Sequence, residues 1–167
     1  MADTKPAKQP APHIGAFVLE TLTLGMYGEP RHTIREYVQN AFDSIRKASR
    51  TGLSSDSGLV NVDMSEDLIK IRDDGLGIPQ AQAWRTLTSI GASRKARQKD
   101  ACFRGIGRLA GMAYCDKLVF ETSFEGEDKK SVVSFDCKTL RERMDPTAGD
   151  DTELAELLRD TTTISIE

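Results

Sequence analysis

The stretch REYVQNAFDS, residues 35–44, constrains this chain more than any other. Its apolar residues recur with helical periodicity. Yet one stripe carries Glu36, Asn40 and Asp43, each an average or poor helix former. At roughly 100° per residue, with Glu36 at zero, Asn40 falls about 40° to one side and Asp43 about 20° to the other. Ile34, Val38, Ala41, Phe42 and Ile45 fall opposite and form the expected apolar face. A solvated surface is the ordinary explanation of such a stripe. Whether this one lines a site depends on what the rest of the chain brings to it.

The 167 residues suffice for one domain with its own core. A net charge of −3 argues against a chain built to coat nucleic acid or an anionic membrane. No apolar run approaches the length of a membrane-crossing helix. The start, MADTKPAKQPAP, lacks the apolar centre of a secretory signal, and residues 1–13 read as a flexible tail. Cys102, Cys115 and Cys137 are odd in number, widely spaced and without metal-type pairing. The expectation is reduced thiols in a cytoplasmic protein. His13 and His32 have no partner at metal-ligand spacing, so a histidine-based catalytic triad is not expected.

Residues 14–25 read as a short amphipathic helix stopped by Gly25. Pro30 opens the next helix, which should run to about Ala48. LVNVDM and LIKIRD alternate about the turn SED and read as a β-hairpin. The glycine loop DDGLGIP follows. QAQAWRTLTSI reads as a helix burying Trp84, Leu87 and Ile90. GASRKARQKDACFRG is long, basic and without periodicity. IGRLAGMAYC reads as a helix rich in small residues. DKLVFETSF and SVVSFDCKT read as strands, DTELAELLRD as a helix capped by Asp151 or Thr152, and TTTISIE as a last strand. The fold class expected is α+β over residues 14–167, with one mixed sheet and helices on one face. The strand at the end suggests a domain that continues into a longer protein.

Three features join the helix. DDGLG places Gly75 and Gly77 directly after a strand and an acidic pair, where bare backbone can fold around a ligand. RGIGRLAG places Gly105, Gly107 and Gly111 at a helix start, where exposed amides attract phosphate. The basic stretch GASRKARQKD lies between the two and could close over them. Each alone has an ordinary explanation: a turn, close helix packing, a solvated loop.

In this order and spacing the chain resembles the GHKL ATPase superfamily of gyrase, heat-shock chaperone, histidine kinase and MutL. EYVQNAFDS looks like its N-box, DDGLGI like its first glycine box, FRGIGRLAG like its second, and TTTIS like its terminal threonine-plus-strand motif. A carboxylate at Glu36 is similar to the gyrase, chaperone and MutL branch rather than to the histidine kinases. Cys102 stands where the family often has glycine.

The resemblance implies a Bergerat fold, a two-layer sandwich that binds ATP and Mg2+. Asn40 is expected to offer its carbonyl oxygen to the metal, whose preference is for hard oxygen ligands. Glu36, one turn earlier, is expected to orient or deprotonate the attacking water. Asp73 suits the adenine amino group, because an ionised carboxylate only accepts hydrogen bonds. Thr162 supports Asp73 or a bridging water, with Thr161 and Thr163 as alternatives, and Asp43 bonds the site from behind. Gly75, Gly77, Ile78, Ser93, Arg94, Lys95, Arg104, Gly105, Ile106 and Gly107 complete the nucleotide contacts implied. The expected activity is slow Mg-dependent ATP hydrolysis, coupled to lid closure and to a nucleotide-dependent homodimer acting on a client. A non-hydrolysing ATP-binding switch is the alternative. A histidine-kinase-type catalytic domain is a further one, for which no histidine has a suitable helical context. Direct binding of nucleic acid or membrane is not expected.

Overall fold

The computed structural model describes residues 14–16, 18, 19, 21, 28–52, 58–91, 106–144 and 153–167. Helix α1 spans Pro30–Thr51. Pro30 fits its first turn, where a missing N–H leaves no bond unmade. Gly52 ends it in the left-handed region at φ 74°, its amide donating to Ser49 O at 3.2 Å. Strands β1 (Val60–Met64) and β2 (Ile69–Asp73) form the expected hairpin, with Val62 opposite Ile71. Helix α2 (Gln80–Thr88) follows, then a 3-10 helix at Gly107–Ala113. Strands β3 (Lys117–Thr122) and β4 (Ser131–Asp136) lead into α3 (Cys137–Met144), α4 (Leu154–Asp160) and β5 (Thr162–Ile166).

The architecture is α+β, as expected. Its strands are arranged differently from the single mixed sheet read from the sequence. The described strands form two antiparallel ladders, β1–β2 and β3–β4–β5 with β4 central. Both tight connections, Ser65–Leu68 and Ser123–Lys130, reverse the chain locally, and that favours antiparallel neighbours. The face of β4 that carries Ser131, Val133 and Phe135 is buried. Val133 and Phe135 share one core cluster with Leu87 of α2, Leu109 and Met112 of the 3-10 helix, Leu140 of α3, Leu157 of α4, and Leu19. Phe120 meets Phe135 edge to face at 6.1 Å between centroids, a favoured aromatic arrangement.

Several local expectations change. IGRLAGMAYC forms a 3-10 rather than an α-helix. One cause is visible: the Gly111 amide donates to the Tyr37 hydroxyl at 2.9 Å instead of to the helical ladder. α3 begins where DCKT reads as strand. The Asp136 carboxylate accepts from both the Thr139 amide (2.9 Å) and its hydroxyl (2.8 Å), capping the helix as it leaves the sheet. In α2 the buried residues are Ala83 and Leu87, while Trp84 is 36% exposed and Ile90 half-buried. The cap of α4 is Glu153, with no side-chain bond, and Asp151 and Thr152 lie outside the described residues. At the start of the chain Val18, Leu19 and Thr21 are helical. Leu19 and Ala16 are buried in the chain's own core, and the Leu154 amide donates to Ile14 O at 3.0 Å. Val18 is exposed, and Phe17, Leu22 and Leu24 lie outside the described residues.

Candidate functional site

Helix α1 turns its polar stripe into the protein. Its buried residues are Thr33, Ala41, Asp43 and Ala48. Measured from Glu36, they lie at about 60°, 140°, −20° and 120°, so the buried side runs from Asp43 on the stripe round to Ala41 on the apolar face. Asp43 is 3% exposed, and Glu36 and Asn40 are half-buried. Phe42, expected inside, is 50% exposed, with the Arg46 guanidinium carbon 5.6 Å over its ring. Ile34, Val38 and Ile45 are only half-buried. A helix that buries a carboxylate beside its alanines and leaves a phenylalanine outside is shaped by more than core formation.

Two anchors fix this orientation. The Tyr37 hydroxyl donates to Arg108 O at 3.1 Å and accepts from the Gly111 amide, while its ring meets Phe120 edge to face at 6.2 Å. A Cβ on Gly111 would lie 2.4 Å from that hydroxyl, so the glycine serves packing here rather than a phosphate. Arg108 in turn donates to Leu87 O at 3.2 Å and to Ser89 O at the end of α2.

The first glycine loop meets α1 at Ser44. This residue lies one turn beyond Asn40, so Glu36, Asn40 and Ser44 follow one another up the helix at i, i+4 and i+8. The Ser44 side chain hydrogen-bonds Asp73, and Ser44 O accepts from the Leu76 amide at 3.3 Å. The Asp73 carboxylate also accepts from the Gly75 amide at 3.0 Å. A Cβ at Gly75 would lie 2.3 Å from Ser44 Oγ and 2.7 Å from Asp73 Oδ1, so only glycine permits this approach. Asp73 is exposed as a residue, yet its carboxyl is tucked against these groups. Burial pushes its pKa up, and the Gly75 amide and Ser44 pull it down by less; Asp74 adds to the rise. Asp74 has a different task, accepting the Leu59 amide at 2.8 Å just ahead of β1.

The far side of the loop is fastened to the β3–β4 hairpin. Gly77 adopts φ 69° and packs onto Ser123 O. The Ile78 amide donates to Thr122 Oγ1 at 2.9 Å. The Glu127 carboxylate accepts the Gln80 amide at the start of α2, at 2.9 and 3.1 Å. Between the end of α1, the loop and this hairpin lies an open recess of about 320 Å³, bordered by Ala48, Asp74, Gly75, Leu76, Ser123, Phe124 and Glu125.

The threonines of TTTIS separate cleanly. Thr161 donates to Leu157 O at 2.8 Å and closes α4; Thr163 is exposed. Thr162 is 6% exposed, and its hydroxyl has no hydrogen-bond partner among the described residues. A buried hydroxyl left so is costly unless a water or ligand completes it. Ile106 is half-buried and Gly107 buried, at the head of the 3-10 helix. Ser93, Arg94, Lys95, Arg104 and Gly105 lie outside the described residues. Ser44, Thr122 and Tyr37 are the residues that sequence reasoning missed. Ser44 had a signal, its place one turn past Asn40 on the inward side. Thr122 had none, because its partner is 44 residues away.

Among the described residues no group of three or more His, Cys, Asp or Glu side chains could hold a metal, and no helix is long and apolar enough to cross a membrane. The family model described as histidine kinase-, DNA gyrase B-, and HSP90-like ATPase matches residues 29–160. That span takes in α1 and both glycine boxes. The description joins the three groups and does not separate their branches. No curated protein matches the chain.

Proposed function

Because the chain belongs to the family of histidine kinase-, DNA gyrase B- and HSP90-like ATPases, we propose that it binds ATP with magnesium and hydrolyses it, Glu36 acting as general base. The observation that carries this reading is the inward turn of the α1 stripe. It puts a half-buried Glu36 and Asn40 and a buried Asp43 on the side of the helix that reaches the Asp73 loop through Ser44. The residues present suit the group implied. Gly75 leaves bare backbone beside Asp73, Thr162 holds an uncompleted hydroxyl, and Asn40 is a neutral oxygen donor on the stripe. A single protein oxygen is in keeping with magnesium, which takes its other ligands from phosphate and water. When bound, the metal neutralises charge on the triphosphate. Asp73 accepts from the adenine amino group, and at that place it disfavours the carbonyl of guanine. Glu36, one turn before Asn40, takes the proton of the attacking water, with Asp43 supporting the site from behind.

On this reading residues 91–104 close over the phosphates, with Ser93, Arg94, Lys95 and Arg104 as contacts and Gly105, Ile106 and Gly107 beneath. Closure favours a homodimer that acts on a client. The experiment replaces Glu36 by alanine and measures analogue binding by calorimetry alongside phosphate release. The expected result is retained affinity and lost turnover, because a water-positioning group acts mainly in the transition state. Lost affinity with normal turnover per bound ATP sinks the role of Glu36. Retained affinity with no turnover in the unmodified protein makes the domain a binding switch instead.

A further inference from the structure

Helix α1 has a second face. With Glu36 again at zero, Arg31, Arg35, Phe42, Arg46 and Arg50 fall at about −140°, −100°, −120°, −80° and −40°, on the side away from the buried residues. All five are exposed. No acidic residue of the helix joins them, since Glu36 is half-buried and Asp43 buried. Of the four arginines only Arg31 pairs with a carboxylate among the described residues, that of Glu29 at the N-cap. From Arg31 to Arg50 the line runs about 28 Å at 1.5 Å per residue. α1 carries five Arg or Lys residues against two acidic ones, in a chain whose net charge is −3. Net charge sums over every face and hides this one; Glu121, Glu125, Glu127 and Asp128 gather negative charge on the β3–β4 hairpin instead.

A charged helix face is ordinarily a solvated one, and such faces mix signs in i, i+4 pairs. This face carries one sign, and an aromatic ring stands in the middle of it. Phe42 has Arg31 and Arg35 toward one end of the helix and Arg46 and Arg50 toward the other. The Arg46 guanidinium carbon lies 5.6 Å from the ring centroid, a cation–π contact that steadies the ring while the residue stays half exposed. The planar fork of arginine matches phosphate oxygens. An exposed aromatic among positive charges is a platform on which a base can stack. We propose that the outer face of α1 binds single-stranded nucleic acid, with phosphates along the arginines and a base on Phe42. Bases within a duplex are already stacked on their neighbours, so the ring selects an unpaired strand. An anionic membrane needs a broad apolar face beside the charge, and Phe42 is the only large apolar side chain of α1 that is exposed. The carboxylates of an acidic peptide answer the arginines and leave Phe42 without a role. Glu36 and Asn40 occupy another side of the helix, so this surface stands apart from ATP binding.

The test follows a fluorescein-labelled oligodeoxythymidine of about 20 nucleotides by anisotropy, with the full chain, between about 50 and 200 mM salt. Contact of four arginines with phosphate predicts that log K falls with log salt at a slope of about −3. Arg35→Gln/Arg46→Gln should halve that slope to about −1.4. Phe42→Ala should weaken binding about tenfold at an unchanged slope, and Phe42→Trp should restore it. The replaced side chains are all exposed, so the urea midpoint should hold in each variant. Absence of binding at about 50 mM salt overturns the proposal. So does binding that the arginine and Phe42→Ala variants both leave intact, which places the strand elsewhere on the chain. Loss in the arginine variant with Phe42→Ala unaffected removes the stacking platform and the preference for a single strand with it. Displacement of the oligonucleotide by polyglutamate, or by phosphatidylserine vesicles, at equal charge assigns the face to an acidic peptide or a membrane and overturns it as well.

Discussion

Two glycines with nearly the same positive φ provide a controlled test of the loop at Asp73. Gly52 has φ 74° and Gly77 has φ 69°. A left-handed backbone costs an L-residue about 1–2 kcal/mol, so Gly52→Ala and Gly77→Ala share that penalty. They differ in surroundings. A Cβ at Gly52 meets nothing within 4 Å, whereas at Gly77 it would lie 1.7 Å from Ser123 O. The position of a Cβ is fixed by its backbone and Ser123 O is itself main chain, so no rotamer relieves the clash and the loop must move off the hairpin. That movement breaks the 2.9 Å bond from the Ile78 amide to Thr122 Oγ1. Leaving a part-buried amide unpaired adds about 1–3 kcal/mol. Gly77→Ala should therefore lose about 2–5 kcal/mol in urea unfolding, and Gly52→Ala about 1–2 kcal/mol. Calorimetry with a non-hydrolysable ATP analogue completes the comparison. Gly77→Ala should bind at least about tenfold more weakly, since 1.4 kcal/mol of loop displacement suffices for that; Gly52→Ala should bind normally. Equal destabilisation of the two variants with affinity intact in both would refute the argument that the hairpin sets the loop.

Thr122→Val keeps the shape and removes the acceptor, so it should destabilise by about 1–3 kcal/mol and weaken analogue binding, while Thr122→Ser restores both; a valine variant that binds normally counts against the hairpin. Tyr37→Phe leaves the Gly111 amide and Arg108 O without their shared hydroxyl, and about 1–3 kcal/mol of stability should go with it. Hydrogen exchange at Gly111 should quicken in that variant, and an unchanged rate would mean the hydroxyl does not anchor the 3-10 helix.

Where local chemistry decides, the sequence was readable. Pro30 and Gly52 bracket α1, and strict alternation about SED predicts the β1–β2 hairpin. The order of the glycine boxes around a polar-striped helix pointed to a family whose match covers residues 29–160. Where a distant partner decides, it was not. The apolar face of α1 looked like the inside because periodicity reports which residues differ, not which side the protein covers. Phe42 lies outside and Asp43 inside because the Tyr37 anchor and the Ser44 contact set the rotation of the helix. One cause of the 3-10 form is the hydroxyl of a residue 74 positions earlier, which takes the Gly111 amide. α3 was legible in principle, since Asp136 followed three residues later by Thr139 is a capping pattern. The alternation of SVVSFD masked it by running directly into the cap.

Asp73 shows how such a site burdens its own fold. Burial of the carboxyl outweighs the bonds from Gly75 and Ser44, so the folded chain holds this proton more tightly than the unfolded chain does. For an acid with a raised folded pKa, the contribution to stability is fully present below the unfolded pKa. It is lost as pH rises through the folded one. At neutral pH the carboxylate is therefore a net cost, and Asp73→Asn should become more stable relative to the parent as pH rises from about 3 to 7. Removing the Ser44 bond as well deepens that cost, so Ser44→Ala should fall further below the parent over the same interval. Urea midpoints of the three chains across this range measure both effects. A stability difference between parent and Asp73→Asn that does not vary with pH would mean the carboxyl is solvated in the fold. A parent that gains on the variant as pH rises would mean that Gly75 and Ser44 outweigh burial. If Asp73 reads adenine as proposed, the same Asp73→Asn chain should bind the ATP analogue poorly, because an amide in place of the carboxylate would lose the charge-assisted bond to the adenine amino group. Higher stability combined with lost binding is what a carboxylate kept for a ligand predicts, and a carboxylate kept for the fold predicts the reverse.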